Sequence, residues 1–207
     1  MRPTMRCAIL LSCVFTLSAG LALAEQASTQ PAPDAANAAA MEAMQRLGSP
    51  SEGHKTLEPL AGNWNYTLQW WMSPEAPPQA MSGTSANHLI LGGRFLQQEV
   101  HGAATAEQPP FDGLGFIGYD NIRQEYQTTW FDNMATGMMV GTGQFDAAGQ
   151  TFTERSDFSC PMTGEAHRQS RSVLKIVDAN HHTYESYMRT PDGTEFKAME
   201  IRYTRAQ

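Results

Sequence analysis

Three acidic residues of this chain, Asp132, Glu165 and Glu200, have neighbours that would suit a catalytic carboxylate. Asp132 follows an aromatic run, Glu165 ends a loop with proline and glycine, and Glu200 alternates with apolar residues. Two carboxylates can serve as general acid and base when their surroundings hold the two pKa values apart. Because the chain has 21 acidic residues, such pairs also arise by chance. The pattern therefore permits an acid–base enzyme but does not favour one.

Motifs for a nucleophile, a metal or a cofactor do not occur in the sequence. Cys160 and His167 share a loop, but a cysteine nucleophile needs a histidine within hydrogen-bond reach, and packing of Cys160 under the turn is the alternative. The histidines, at positions 54, 88, 101, 167, 181 and 182, lack the compact spacing of metal ligands. Phosphate loops, dinucleotide fingerprints and Gly-x-Ser-x-Gly elbows are also missing. We expect no metal and no cofactor.

A set of aromatic, methionine and short polar side chains indicates a pocket for a small, largely apolar molecule. Methionine adapts to varied apolar shapes, although the same residue types also build ordinary cores. The dipeptide Asp-Asn occurs twice, and we expect Asp120-Asn121 to form a turn and Asp132-Asn133 to approach the pocket. The predicted ligand-binding residues are Trp70, Tyr126, Trp130, Asp132, Asn133, Met138, Glu200 and Arg202.

The elements that position these residues are short strands. Residues 63–70 alternate between polar and apolar side chains, which is typical of a half-buried strand. Nine further candidates follow, at 82–91, 94–101, 113–119, 124–132, 138–146, 151–158, 168–177, 182–189 and 195–204, and short turn signals join them. Two helical segments, at 38–47 and 51–60, precede the strands.

About ten strands with hairpin-length links predict an all-β fold, an antiparallel up-and-down barrel after a short N-terminal helical segment. Closure removes the exposed edges of so long a sheet. A two-sheet sandwich is the alternative architecture, and long crossing connections would favour it. On the last strand, Glu200 and Arg202 share one face while Met199, Ile201 and Tyr203 share the other. Alternation alone leaves open which of these two faces points into the barrel.

The N-terminus is typical of an exported protein. Residues 1–24 have a basic start, an apolar run and small residues before Glu25, which predicts a cleaved signal peptide. A lipid anchor at Cys13 is the alternative. Residues 25–40, rich in Ala, Gln, Pro and Ser, predict a disordered tether, and residues 41–207 form one domain. The mature protein would then be periplasmic or secreted, with no transmembrane segment.

Charge and cysteine content limit the possible partners. Removal of residues 1–24 takes away Arg2 and Arg6, leaving 12 basic and 21 acidic residues and a formal charge of about −9. Such a charge argues against a nucleic-acid partner. Cys160 remains as a single cysteine, so a core and not a disulfide must stabilise the domain. The sequence carries no signal for an oligomeric state.

Several segments, taken in order, resemble the domain of unknown function 1579 family of bacterial proteins. They are residues 54–64, 118–121, 130–137, 160–164 and 199–205. The resemblance covers residues 41–205 and implies a calycin-like barrel, similar in shape to lipocalins and fatty-acid-binding proteins, without an established activity. It also implies that Trp64 closes one barrel end under Arg202 or Arg205. By analogy with such barrels, Arg202 and Tyr184 could hold an acidic headgroup, and a histidine such as 88, 101 or 182 could hold haem.

Three functions follow as hypotheses. The first is an exported barrel that binds a small apolar or amphipathic molecule. The second is an enzyme on the same scaffold that uses Asp132, Glu165 or Glu200 as acid or base. The third is a filled barrel that serves as an interaction module at the cell envelope.

Overall fold

The computed structural model describes residues 35–104, 109–148 and 150–207, and its main feature is a closed barrel of ten antiparallel strands. Each strand pairs with its neighbour in sequence, and the first pairs with the last. The strands are β1 (Gly62–Trp70), β2 (Gln79–Ile90), β3 (Phe95–Gly102), β4 (Phe111–Asp120), β5 (Glu125–Asp132), β6 (Met139–Asp146), β7 (Thr151–Phe158), β8 (Arg168–Asp178), β9 (His181–Arg189) and β10 (Glu195–Arg205). The predicted all-β, up-and-down barrel is confirmed.

Two α-helices and a 3-10 turn precede the barrel. They are α1 (Ala35–Leu47), α2 (Glu52–Lys55) and the turn Glu58–Leu60. Helix α1 begins at Ala35, inside the segment 25–40 that the sequence predicts to be a tether. Its alanine-rich sequence explains the helix, because alanine loses no side-chain entropy there. The predicted signal peptide, residues 1–24, and residues 25–34 of the predicted tether lie outside the described residues.

Strand register decides which side chains enter the barrel. In β1 the residues Trp64, Tyr66 and Leu68 are buried and alternate with exposed polar residues. On β10 their partners are Arg205, Tyr203 and Ile201. Cross-strand partners share a sheet face, so β10 turns Met199, Ile201 and Tyr203 inward. The ambiguity in the last strand is thereby resolved in favour of its apolar face.

One end of the barrel, here called the plugged end, is filled by residues 51–61. Leu57 and Leu60 of this segment are each 4% exposed and pack with Leu96, Ile117 and Tyr126 in the larger core cluster. The hydroxyl of Tyr126 donates to the carbonyl oxygen of Gly53 (2.9 Å). The opposite end, where β1 and β5 end, is here called the open end.

Trp64 fastens the plug to the barrel wall. Its indole Nε1 donates to the carbonyl oxygen of Leu60 (2.9 Å), and the side-chain amide of Asn87 donates to the same oxygen. The guanidinium of Arg205 covers the indole and donates to the carbonyls of Ala61 and Pro59. Of the two arginines expected at this position, Arg205 is therefore the one that packs on Trp64.

The first Asp-Asn pair is a turn, as predicted, and Asn121 has a second role. Asp120 Oδ1 accepts hydrogen bonds from the backbone N–H groups of Ile122 and Arg123, and these bonds hold the pKa of Asp120 below its ordinary value. Asn121 Nδ2 donates to the carbonyls of Leu47 and Ser49 (2.8 Å each). The turn between β4 and β5 thus anchors the chain that connects α1 to the plug.

Helices that could span a membrane are not found among the described residues.

Candidate functional site

Burial of the inner-face side chains changes along the barrel axis. Near the plugged end, Trp64, Leu96 and Ile117 are at most 7% exposed. Toward the open end, inner-face residues are only half-buried; they include Trp70, Met81, Phe111, Trp130, Met199 and Ile201. An inner-face side chain retains accessible surface only where water reaches the barrel interior. Water therefore reaches the inner face at the open end, and the space that these side chains line is here called the lumen.

Trp130 is the largest aromatic side chain on the β5 side of this lumen. Its ring lies against two glycines of β4, because a Cβ atom on Gly113 would lie 2.4 Å from Cζ2 and one on Gly115 would lie 2.8 Å from Cε3. Phe111 stacks beside it, with 6.4 Å between ring centroids. The two glycines thus allow a flat indole to cover the wall.

Asp132 holds the Trp130 ring in place. Its Oδ2 accepts a hydrogen bond from Trp130 Nε1 (2.9 Å), and its Oδ1 accepts one from the backbone N–H of Met134 (2.9 Å). Register with Gly113 places Asp132 on the inner face at the open end. The second Asp-Asn pair therefore differs from the first, since its aspartate both caps a turn and orients an aromatic wall.

Deeper in the barrel the inner face becomes polar across strands β5 to β9. At its centre is Glu154, which is 8% exposed. Its Oε1 accepts hydrogen bonds from the hydroxyls of Thr128 and Ser156 (2.5 Å each). The remaining members are hydroxyl-bearing side chains, and this polar wall comprises Thr128, Glu154, Ser156, Ser170, Ser172, Tyr184 and Ser186.

Hydrogen bonds connect part of this wall. The Tyr184 hydroxyl donates to Ser172 Oγ (2.8 Å). Burial, followed by the charge of Glu154, raises the pKa of Tyr184 above its ordinary value, so the phenol stays protonated at neutral pH. Ser170 Oγ is buried and has no hydrogen-bond partner among the described residues. The wall thus retains unused hydrogen-bonding capacity facing the barrel interior.

The structure places the predicted ligand-binding residues in several different regions. Trp70 and Trp130 lie on the inner face near the open end. Met138 is 63% exposed in the loop between β5 and β6. Asn133 joins that loop to β4, since its Oδ1 accepts from the backbone N–H of Asp112 (3.2 Å). Ligand contact by these four residues stays a prediction.

Three further predicted ligand-binding residues lie away from the surface of the open end, and ligand contact by them also stays a prediction. Tyr126 is 3% exposed and bonded to the plug, so it has almost no surface for a ligand. Glu200 and Arg202 lie on the outer face of β10, where Arg202 Nε donates to Glu200 Oε1 (2.6 Å). The analogy that would place the Arg202 guanidinium inside the barrel for an acidic headgroup does not match this geometry. The physical reason is that the apolar face of β10 occupies the interior.

The three candidate catalytic carboxylates do not come together. Asp132 is at the open end of β5, Glu165 is in the exposed loop before β8, and Glu200 is on the outer face of β10. Hydrogen bonds from Lys197 and Arg202 hold the pKa of Glu200 below its ordinary value, whereas a catalytic acid needs the opposite shift. Their positions do not form an acid–base pair.

Cys160 and His167 do not form the hydrogen-bonded pair that a cysteine nucleophile needs. Cys160 is buried, and the guanidinium of Arg168 donates to its Sγ (3.5 Å). His167 is turned instead toward Asp157, at 3.1 Å. His182 packs flat against Tyr203 and edge-on against Trp64 in the plugged end. Groups of three or more potential metal ligands do not occur within the part of the chain that the structure describes.

Two grooves lie on the outside of the barrel. One, of about 340 Å³, follows strands β6 to β9 and includes Arg155 and Arg171. The other, of about 730 Å³, includes Thr67, Glu200 and Arg202. Arg171 is already paired with Glu195 and covers the ring of Tyr187. Ser156 and Ser170 also line the first groove, and Ser170 Oγ is buried without a hydrogen-bond partner among the described residues.

The polar wall is not among the residues predicted from the sequence. The signal was present in β7, where strict alternation places Glu154 on the same face as Phe152 and Ser156. An acidic residue on an otherwise apolar, inward face indicates either a solvated strand or a buried functional group. The sequence alone gave no means of choosing, because the inward face of β7 depends on its pairing with β6 and β8.

Comparison with known proteins agrees with the barrel fold. The crystal structure of Rv2717c from M. tuberculosis is similar, with a TM-score of 0.57 and 15% identity over 77% of this chain and 100% of that chain. The S-type phycobiliprotein lyase CPES from Guillardia theta has a TM-score of 0.54 and 10% identity over 79% of this chain and 97% of that chain. At these identities the similarity shows the fold alone.

No curated protein matches the sequence. The model of the DUF1579 family, described as protein of unknown function, matches residues 49–205. That range includes the plug, all ten strands and the polar wall. The chain therefore belongs to the DUF1579 family.

Proposed function

We propose that this protein binds a small amphipathic molecule in the lumen at the open end of its barrel. The observation that carries the proposal is the half-exposure of inner-face apolar side chains there, including Trp70, Trp130 and Ile201. Apolar surface inside a protein gains free energy when a ligand removes it from water. An apolar wall with a few convergent polar groups is the usual composition of a small-molecule site.

Affinity would come mainly from the apolar part of the ligand. Each Å² of apolar surface removed from water contributes on the order of 25 cal/mol, before the costs of association are subtracted. Trp130 is suited to this contact because Asp132 and the two glycines behind it fix its ring before binding. A fixed aromatic wall loses little conformational freedom when the ligand arrives.

We propose further that the protein is exported. Support comes from the basic start, apolar run and small residues within positions 1–24. Mass spectrometry of the protein isolated from its native cells tests the point, with a chain that begins at Glu25 as the expected result. A mature chain that retains Met1 would contradict export, and a lipid on Cys13 would replace cleavage before Glu25 by a lipid anchor.

Titration with N-phenyl-1-naphthylamine, a neutral fluorescent amphiphile, tests binding in the lumen. We expect saturable fluorescence enhancement at a single site. Ile201→Trp fills the lumen from the inner face and should weaken binding at least about tenfold, since the ligand and the new ring need the same space. Arg202→Trp places the same ring on the outer face and is the matched control.

The pair of variants separates lumen binding from surface binding. Equal affinity in wild type and Ile201→Trp, with loss in Arg202→Trp, would move the site to the outer groove and contradict the proposal. Circular dichroism of both variants verifies that the barrel remains folded. Native mass spectrometry of the freshly isolated protein then gives the mass of any ligand that remains bound.

A further inference from the structure

Glu154 makes the interior of this barrel electronegative at the depth of the polar wall. Its carboxylate is 8% exposed and receives hydrogen bonds on Oε1 from Thr128 and Ser156. No ion pair joins it to a basic side chain within residues 35–104, 109–148 and 150–207. A buried carboxylate without a cationic partner is costly unless other groups compensate it.

Basic side chains near the wall are directed elsewhere. Arg168, at the start of β8, donates to Cys160 Sγ and lies 3.4 Å from Glu165. Arg155 and Arg171 alternate with the wall residues and therefore point outward. The remaining wall groups are hydroxyls, and Ser170 Oγ has no hydrogen-bond partner in the part of the chain that the structure describes. The wall thus presents a carboxylate and acceptor-capable hydroxyls to the lumen.

Space for the carboxylate depends on Gly141 of β6. A Cβ atom at this position would lie 2.3 Å from Glu154 Oε1 and 2.7 Å from both Ser156 Oγ and Thr128 Oγ1. The two hydroxyls and the carboxylate therefore converge over a position that only glycine leaves free. Three polar side chains meet at one point of the inner face, below the apolar surface of the open end.

We propose that the ligand of this lumen carries a cationic, hydrogen-bond-donating head, such as an ammonium group, that pairs with Glu154. This inference rests on the proposed function and adds the sign of the headgroup. Hydrogen bonds between an ammonium and a carboxylate are stronger than those between neutral groups. An anionic head would instead meet the negative charge of Glu154 and be repelled. The proposed headgroup thus has the opposite charge to the acidic headgroup that the analogy with fatty-acid-binding barrels implies.

Three amphiphiles with the same ten-carbon chain test the headgroup: decylamine, decanol and decanoate. At pH 7.5 the amine is protonated, because alkyl ammonium groups resemble that of lysine. Each displaces N-phenyl-1-naphthylamine from the folded protein. We expect decylamine to bind at least about tenfold more tightly than decanoate, since charge-assisted pairing favours one and repulsion opposes the other. Equal or tighter binding of decanoate would overturn the proposal.

The variant Glu154→Gln tests the residue. It should weaken decylamine binding about tenfold and leave decanol within about twofold, because only the charged head loses its partner. Glu99→Gln, on the outer face of β3, removes the same charge from the chain and should change neither value. Unchanged preference for decylamine in Glu154→Gln would also overturn the assignment.

The results of these experiments distinguish failure of the cationic-headgroup proposal from failure of lumen binding. If N-phenyl-1-naphthylamine binds and responds to Ile201→Trp while the three amphiphiles bind alike, lumen binding stands and the cationic head is wrong. If the fluorescent probe fails to bind, both proposals fail. If Glu154→Gln does not fold, the comparison of the three amphiphiles on the wild-type protein still decides the sign of the head.

Discussion

The guanidinium of Arg205 lies 4.0 Å from the centroid of the Trp64 ring, so the last strand of the barrel covers the first aromatic residue of β1. The same guanidinium donates to the carbonyls of Ala61 (2.8 Å) and Pro59 (2.9 Å). One side chain thus joins β10, β1 and the plug. The same side chain therefore stabilises both the pairing of β10 with β1 and the position of the plug.

Replacement of Arg205 should therefore destabilise the whole domain. The variant Arg205→Met keeps an apolar stem but loses the cation–π contact, worth about 0.5–2 kcal/mol. It also loses the hydrogen bonds to the carbonyls of Ala61, Pro59 and Ala179. We expect a loss of about 2–4 kcal/mol in the free energy of unfolding, measured by urea denaturation. Arg202→Met, on the outer face of the same strand, should cost less than about 1 kcal/mol. Equal losses in both variants would contradict this role.

Asn121 should control the order of the segment between α1 and the plug. Asn121→Ala removes donors to Leu47 and Ser49 and the acceptor of the Ser51 hydroxyl. We expect faster amide hydrogen exchange across residues 47–57 and a stability loss of about 1–3 kcal/mol. Mass spectrometry of peptic fragments measures the exchange.

The second Asp-Asn pair provides the control for this prediction. Asn133→Ala removes bonds to Pro110 and Asp112 at the other end of the barrel. It should speed exchange near residues 109–112 and leave residues 47–57 unchanged. A common pattern of exchange in both variants would show that neither asparagine acts locally.

His182 should make the domain less stable in acid. Burial, and then the charge of Arg205, lowers its pKa from 6.5 to about 4 in the folded protein. Between these two values the unfolded chain binds a proton that the folded protein does not, so stability falls as the pH falls from 6.5 to 4. The full effect is about 3 kcal/mol.

Unfolding by urea at several pH values measures this dependence. His182→Phe keeps an aromatic ring between Trp64 and Tyr203 but cannot take up a proton, so its stability should vary less over this range. His181→Gln changes the exposed neighbour, which pairs with Asp178, and should keep the acid dependence of wild type. Retention of the full dependence in His182→Phe would contradict the assignment to His182.

A side chain at position 141 should destabilise the domain. Gly141→Ala places a methyl group against Glu154, Ser156 and Thr128, and relief of that overlap must shift a strand or break the hydrogen bonds to the carboxylate. We expect a stability loss of about 1–3 kcal/mol in urea. Gly137→Ala meets only Ser159, at 3.6 Å, and should change stability by less than about 1 kcal/mol. A neutral Gly141→Ala would mean that the polar wall adjusts freely.

Local pattern was sufficient to predict the strands. Alternation in residues 63–70 and turn signals at Asp120-Asn121 predicted β1 and the hairpin between β4 and β5, because a strand has a period of two and a tight turn needs particular residue types. The number of strands and their short links then favoured closure. Helix α1 was placed three residues late, since the alanine-rich segment before it resembled a tether.

The sequence by itself determined a ten-stranded meander and the alternation of each strand, because both depend on neighbouring residues. Only the tertiary structure decided which face of each strand is the interior. That choice turned Glu200 and Arg202 outward, directed Tyr126 to the plug and brought Glu154 beneath Thr128 and Ser156. The face of a strand that points into the barrel is set by its register with the neighbouring strands. Register in turn depends on residues that are distant in sequence.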